Sequence, residues 1–185
     1  MQFGTSKKKK LFLSRDPFGE KPLYYFYTQN GFFFGSEIKF IRSLCNKEFE
    51  HNESLINKNL FSGYKSLNKD NQTFYKNIYS LNPSSNLKID LGYKPKISKY
   101  WKPRIKINSK LKYNDAIEVI KSKLIKSISY RMISDVPLAF CLSGGVDSGI
   151  LASHASKTLK KKVSTFSIID DDQRYNELDN IKLIT

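Results

Sequence analysis

The sequence predicts a mixed protein in two parts: an α+β portion over residues 1–101 and an α/β portion over residues 113–185. Three observations lead there. Aromatic-rich runs on either side of an Asn-Gly pair predict antiparallel strands in the first portion. A short apolar strand, a glycine loop, a helix and a second β-branched strand predict a parallel βαβ unit in the second. Between them, residues 102–112 are basic and aperiodic, which marks a linker.

Taken in order, Leu11-Phe12-Leu13-Ser14 is a short strand. Residues 22–27 and 32–35 flank Gln29-Asn30-Gly31 and form a hairpin. Ser36 and Glu37 open a helix through Leu44, with Ser36 placed to cap it, and residues 52–61 form a second helix. From 72 to 100 the pattern returns to short strands, punctuated by Pro83 and Gly92. After the linker, Ala116, Ile117, Ile120, Leu124 and Ile128 recur at helical spacing behind Asn114, a capping residue type. Residues 137–142 are bounded like a buried strand, 149–159 read as a helix, 163–169 as a second strand, and a last helix begins near Tyr175.

Composition narrows the class. A chain of 185 residues, 39% hydrophobic, can build a core and is not wholly disordered. The net charge of +15 raises nucleic-acid binding. Only Arg15, Arg42, Arg104, Arg131 and Arg174 are arginines, however, and the lysines are scattered, so no nucleic-acid face is expected. Cys45 and Cys141 match no metal or disulfide spacing, and both read as structural, Cys141 as a small buried hydrophobe. No signal-peptide core or membrane-length stretch is visible, so a soluble cytoplasmic protein is expected.

Ser143-Gly144-Gly145-Val146-Asp147-Ser148 carries the chemistry. Glycines let a backbone approach an anion, and the first N–H groups of a helix point at it. No Gly-Lys-Ser/Thr follows, so this is not a Walker loop. Ser143 and Ser148 offer hydroxyls, the loop offers amides, and Asp147 offers a carboxylate for a divalent ion. That set suits pyrophosphate with magnesium. The rival reading is a turn that only joins strand to helix; the flanking elements favour phosphate.

Residues 134–148, Ser-Asp-Val-Pro-Leu-Ala-Phe-Cys-Leu-Ser-Gly-Gly-Val-Asp-Ser, resemble the pyrophosphate loop of glutamine-hydrolysing asparagine synthetases. Arg131 and Thr165-Phe166-Ser167-Ile168 fit the same pattern. Upstream, the run from Ser14-Arg15-Asp16-Pro17-Phe18-Gly19 to Tyr24-Tyr25, and Phe34-Gly35-Ser36-Glu37-Ile38-Lys39, are similar to the late part of that family's glutaminase domain. Thr73-Phe74-Tyr75, Leu81-Asn82-Pro83 and Tyr100-Trp101 match the stretch leading to its linker.

The resemblance implies a partial Ntn-hydrolase-like glutaminase sandwich over 1–101, a linker at 102–112, and the start of a PP-loop sheet of the adenine-nucleotide alpha-hydrolase type over 113–185. It also implies a reaction: ATP adenylates the aspartate side chain with release of pyrophosphate, and glutamine-derived ammonia then displaces AMP. ATP and Mg2+ are the implied cofactors. By position, Ser143, Gly144, Gly145 and Ser148 hold phosphate and Asp147 assists magnesium. Leu142 and Ile168 border the adenine, or else belong to ordinary strand core.

The family's glutaminase nucleophile is a cysteine at the mature amino terminus, using its own α-amine as base. This chain has no counterpart, so no catalytic residue is assigned. The family's aspartate-binding segment falls beyond Thr185. The expectation is an internal segment spanning the domain junction, inactive alone. Its partners would be ATP, aspartate and glutamine in the whole protein, with a homodimer or a complementing fragment. Ala139 stands where the family commonly has glycine, Gly149 where it commonly has serine, and Ser84 where a glycine usually follows the proline. Rival readings are a β-lactam-forming or sugar-pathway amidotransferase, and a nucleotide-binding remnant without catalysis.

Elsewhere structural roles are expected. Arg15 and Asp16 read as an ion pair at a strand end, and Lys21, Glu37 and Lys39 as contacts that fix the fold. Lys7-Lys8-Lys9-Lys10 reads as a solvated turn, Asp170-Asp171-Asp172 as a solvated loop, and His51 and His154 as isolated histidines.

Overall fold

The computed structural model describes residues 2–5, 10–29, 31–63, 70–90, 94–107, 110–160 and 162–184. The chain divides into two units, Met1–Ile105 and Lys106–Thr185. Both mix helices with small sheets.

In the first unit the order is β1 (Gln2–Thr5), β2 (Lys10–Ser14), β3 (Tyr24–Thr28), β4 (Gly31–Gly35), α1 (Ile38–Cys45), α2 (Glu53–Ser62), β5 (Tyr79–Ser80), β6 (Ser85–Asp90) and β7 (Lys96–Lys99). One antiparallel sheet runs β1-β2-β6-β7 and another β4-β3-β5. Successive strand residues point to opposite faces, so the aromatic runs of β3 and β4 serve two layers at once. Tyr25, Tyr27, Phe32 and Phe34 meet Leu11, Leu13, Leu87 and Ile89 in one core, which joins the two sheets face to face. Phe26 and Phe33 point the other way and pack with Ile41, Phe49 and Ile78 beneath α1. Leu13, Ile41, Leu81 and Leu87 are fully buried, each stabilising the fold by about 1.5–3 kcal/mol.

The predicted hairpin forms, with register from Tyr24↔Gly35 to Thr28↔Gly31. Asn30 of its turn lies outside the described residues, as do Lys7, Lys8, Lys9, Gly92 and two linker residues, 108 and 109. The expected second helix forms as α2, and the Asn52 side chain caps it by accepting a hydrogen bond from the Leu55 N–H at 3.3 Å. Ser36 does not cap α1. That helix starts at Ile38, and Glu37 holds the N-cap position without a side-chain bond. Gly35 is still paired with Tyr24, so Ser36 and Glu37 make the turn into the helix, and the Glu37 carboxylate pairs with Lys39 instead (2.7 Å).

In the second unit, α3 (Tyr113–Arg131), β8 (Ala139–Cys141), α4 (Val146–Ser153), a π-helical turn (His154–Thr158), β9 (Ser164–Phe166) and α5 (Leu178–Ile184) follow in order. The predicted parallel pair is present, Ala139↔Ser164 to Cys141↔Phe166, with three residues per strand rather than six or seven. Three sequence expectations fail here. Asn114 is not a cap, because α3 begins one residue before it, with Lys112 in the N-cap position. Of the stripe on α3 only Ile128 is buried; Ile117, Ile120 and Leu124 are 40–65% exposed, since a two-stranded sheet offers too little surface to cover a helix of 19 residues. Cys141 is exposed rather than buried: it shares the outward sheet face with Ala139, while Phe140 points inward.

Candidate functional site

The glycine loop is built between β8 and α4. The Leu142 N–H donates to the Phe166 carbonyl (2.8 Å), carrying the parallel pairing one residue past β8. The side chain of Leu142 is 2% exposed and packs with Ala152 and Ile181, which anchors the loop's entry. Gly144 then takes a left-handed φ of +72°, a conformation that disfavours any side chain. Gly145 occupies the N-cap position of α4, and the first helical bond runs from the Gly149 N–H to its carbonyl (3.0 Å). The helix opens at Val146, three residues earlier than its hydrophobic pattern suggests, so Asp147 and Ser148 lie in its first turn.

The two serines hold the loop closed on itself. The Ser143 N–H donates to Ser148 Oγ (3.3 Å), the Ser148 hydroxyl donates to the Gly145 carbonyl (3.1 Å), and the two hydroxyl oxygens are 3.2 Å apart. Asp147 is exposed, and its carboxylate has no hydrogen bond or ion pair to any described residue. The structure therefore brings Ser143, Gly144, Gly145, Asp147 and Ser148 together on one loop. Ile168 lies two residues beyond β9 and is 96% exposed.

This donor set has hydroxyls, a carboxylate and amides at the N-terminus of a helix, where the backbone dipole favours an anion. A Cβ added at Gly145 would meet only Ser143 Oγ, at 3.4 Å, so that side of the loop admits close approach. Oxygen donors alone suit a hard divalent ion shared with phosphates. Among the described residues no group of three or more His, Cys, Asp or Glu is assembled to hold a metal. A protein-only metal cage is not what this arrangement offers.

The other sequence candidates are placed as follows. Arg15 and Asp16 do not pair with each other. Arg15 donates to the carbonyls of Lys21, Leu81 and Gly19 and to Ser80 Oγ, while the Asp16 carboxylate accepts from the N–H groups of Phe18, Glu20 and Lys21. Those backbone bonds, that of Lys21 first, hold the Asp16 carboxyl below its usual range. A cleft of about 490 Å³ beside Arg15, Tyr24 and Thr73 has no comparable donor set, since the Arg15 donors are spent on the chain itself. Asp170 Oδ1 accepts from the Asp172 N–H, and Asp172 pairs with Arg174 at 2.6 Å, a local turn. The His51 ring lies tilted against Tyr75, and His154 opens the π-helical turn with its Nε2 buried and without a hydrogen-bond partner among the described residues. Cys45, the last residue of α1, is half-buried, and burial pushes its thiol pKa up. The last helix expected near Tyr175 forms as α5, three residues later; what sequence reading missed is that Glu177, just before it, and Asn180 within it crowd Gly144. The Asn176 side chain accepts from the Leu178 N–H at 2.9 Å where the helix begins. No helix among the described residues is long and apolar enough to cross a membrane.

Comparison with known proteins adds a second line. The glutamine amidotransferase domain family matches residues 3–101, and the asparagine synthase family matches residues 119–185. A Methanocaldococcus jannaschii protein provisionally named asparagine synthetase (glutamine-hydrolyzing) 2 is 38% identical over 185 residues, covering 96% of this chain and 34% of its own length. Asparagine synthetase (glutamine-hydrolyzing) 2 of Bacillus subtilis is 33% identical over 178 residues, covering 92% of this chain and 24% of its own. Amidase chry2 of Gibberella zeae is 28% identical over 157 residues, covering 83% and 22%. The chain spans about a third or less of the length of these curated relatives.

Proposed function

Since the chain belongs to the glutamine-hydrolysing asparagine synthetase family, we propose that it is the segment where that family's ammonia-producing and ATP-using domains adjoin. Residues 1–101 are then the C-terminal portion of a class II glutamine amidotransferase domain of the Ntn-hydrolase type. Residues 102–112 are the linker, and 113–185 the first portion of a PP-loop ATPase domain. In the whole protein the reaction is adenylation of the aspartate side chain, followed by amidation with glutamine-derived ammonia to give asparagine, AMP and pyrophosphate. Aspartate, glutamine and ATP are its substrates on this reading, a second copy or a complementing chain its partner, and the cytoplasm its setting.

One observation carries the proposal: an all-oxygen and amide donor set at a helix N-terminus, open at Gly145 and reached through a left-handed Gly144. ATP supplies the leaving pyrophosphate, and the residues of the loop hold its negative charge. The Ser143 and Ser148 hydroxyls, turned on one another and on Gly145, rotate to phosphate oxygens at little cost. Loop amides donate alongside them. Asp147 is the residue that would hold Mg2+ through its carboxylate, and the ion would offset phosphate charge there. Ile168 borders the adenine with an exposed side chain. Leu142 does so through its backbone, its side chain being committed to the core. Neither cysteine is proposed as a nucleophile.

Titration calorimetry of the chain with ATP tests this. Saturable binding that requires Mg2+ is expected, weakened about tenfold or more by Asp147→Ala. Binding that ignores both the ion and the substitution would remove Asp147 from the site, and no binding would remove the loop.

A further inference from the structure

Gly144 and Gly145 are neighbours with opposite surroundings. A Cβ at Gly144 would lie 3.0 Å from the Cβ atoms of both Glu177 and Asn180, and 3.1 Å from the Glu177 carbonyl oxygen. Those atoms belong to the backbone and first side-chain carbons at the start of α5, so no rotamer change moves them aside. Gly145 has an ordinary φ of −77°, and a Cβ there meets only a serine hydroxyl in normal contact. The chain's own packing and a φ of +72° therefore require glycine at Gly144, whereas at Gly145 nothing within the chain excludes a side chain.

Helix α5 holds the same structure at two further points. Ile181 shares a buried cluster with Leu142 and Ala152, one residue before the loop and four after it. Ile184 fills the space that a side chain at Gly149 would need, its Cδ1 lying 3.1 Å from such a Cβ. Strand, loop and helix are thus gripped from one side by a single short element.

Resting on the nucleotide-binding reading above, we propose that the loop glycines have divided tasks. Gly144 seats α5, with Glu177 just before that helix and Asn180 within it acting as positioning residues for the loop, and Gly145 keeps the ligand face open. Glu177 and Asn180 touch the loop's backbone and not the phosphates. Their effect on binding is exerted through where the loop amides and hydroxyls sit, and small displacements of such donors weaken what they hold.

Two substitutions separate the tasks. Gly144→Ala strains a left-handed φ and displaces α5: the thermal midpoint should fall by at least about 5 °C from the two together, quicker amide exchange across residues 178–184 should report the displacement, and Mg-ATP binding should weaken. Gly145→Ala should keep the wild-type midpoint and α5 exchange yet weaken Mg-ATP binding about tenfold, because its methyl group stands where the ligand approaches. Ile181→Ala loosens α5 without altering the loop's own residues and should speed exchange at the loop amides 143–148, a readout that survives even if Gly144→Ala fails to fold. Equal midpoint losses in the two glycine variants, or loop exchange unmoved in Ile181→Ala, overturns the seat. Wild-type binding by Gly145→Ala overturns the open face. A chain that binds no ATP at all defeats the nucleotide reading and the open face with it, while the midpoint and exchange comparisons still decide the seat.

Discussion

Ser84 shows how one residue can hold a conformation that its chemistry disfavours. It follows Asn82-Pro83 where a glycine commonly stands in the family, and it adopts a left-handed φ of 59° while 2% exposed. A non-glycine residue there costs about 1–2 kcal/mol. Three bonds over-determine the site: the Ser84 hydroxyl donates to the Pro17 carbonyl (2.8 Å), its N–H to the Asp16 carbonyl (3.0 Å), and the Tyr100 N–H donates to its carbonyl (2.8 Å). Arg15 and Asp16 complete the same corner by fixing residues 18–21 and Leu81 through their backbones and Ser80 through its hydroxyl. Ser84→Gly trades one hydrogen bond, worth about 0.5–1.5 kcal/mol, for relief of strain, whereas Ser84→Ala loses the bond and keeps the strain. Urea unfolding should therefore rank Ser84→Gly above Ser84→Ala by about 1 kcal/mol. The opposite order would mean that the left-handed turn is not strained.

At the scale of elements, α1 stands or falls on one face. Ile41 is fully buried between that helix and the β4-β3-β5 sheet, while Leu44 on the same helix is 65% exposed. Ile41→Ala should cost about 2–5 kcal/mol, and Leu44→Ala less than about 0.5 kcal/mol, both read from urea midpoints. Comparable costs would mean that α1 does not bury the face described. Elements of this kind were legible in the sequence because their patterns are strong. The aromatic alternation of residues 24–34 marks a hairpin, and glycines between an apolar run and a helix mark the loop. Helix starts were less legible. Ser36 and Asn114 are good capping types, yet strand pairing at Gly35 and an earlier helix start at Tyr113 decide otherwise. Glu177 and Asn180 could not be read at all, since a contact with Gly144 across more than thirty residues leaves no local period. Gly149, where the family commonly has serine, becomes explicable only once Ile184 is seen to occupy the space.

At the scale of the molecule, the two units differ in how much apolar surface each removes from water. The first buries eleven hydrophobic residues of the described core, including Leu13, Ile41, Ile78, Leu81 and Leu87 at 0–1% exposure. The second buries five, of which two are alanines, and leaves Ile120, Val146, Phe166, Ile168 and Leu183 at 65–96% exposure. Both strands of its two-stranded sheet are edges, and such a ribbon is marginal without further support. Regions with few buried apolar contacts open at lower free energy than the rest of a protein. Amides of β2 and β6 should therefore exchange orders of magnitude more slowly than those of residues 116–127 in α3. This ordering bears on the loop, because affinity for a ligand falls in proportion to the fraction of molecules in the competent state. Mg-ATP, binding only the folded form of the second unit, should slow exchange in α3, α4 and α5 and leave β2 and β6 unchanged. Equal protection of the two units without ligand, or a ligand effect spread evenly over both, would show that they unfold as one body and that the second unit is not the weaker half.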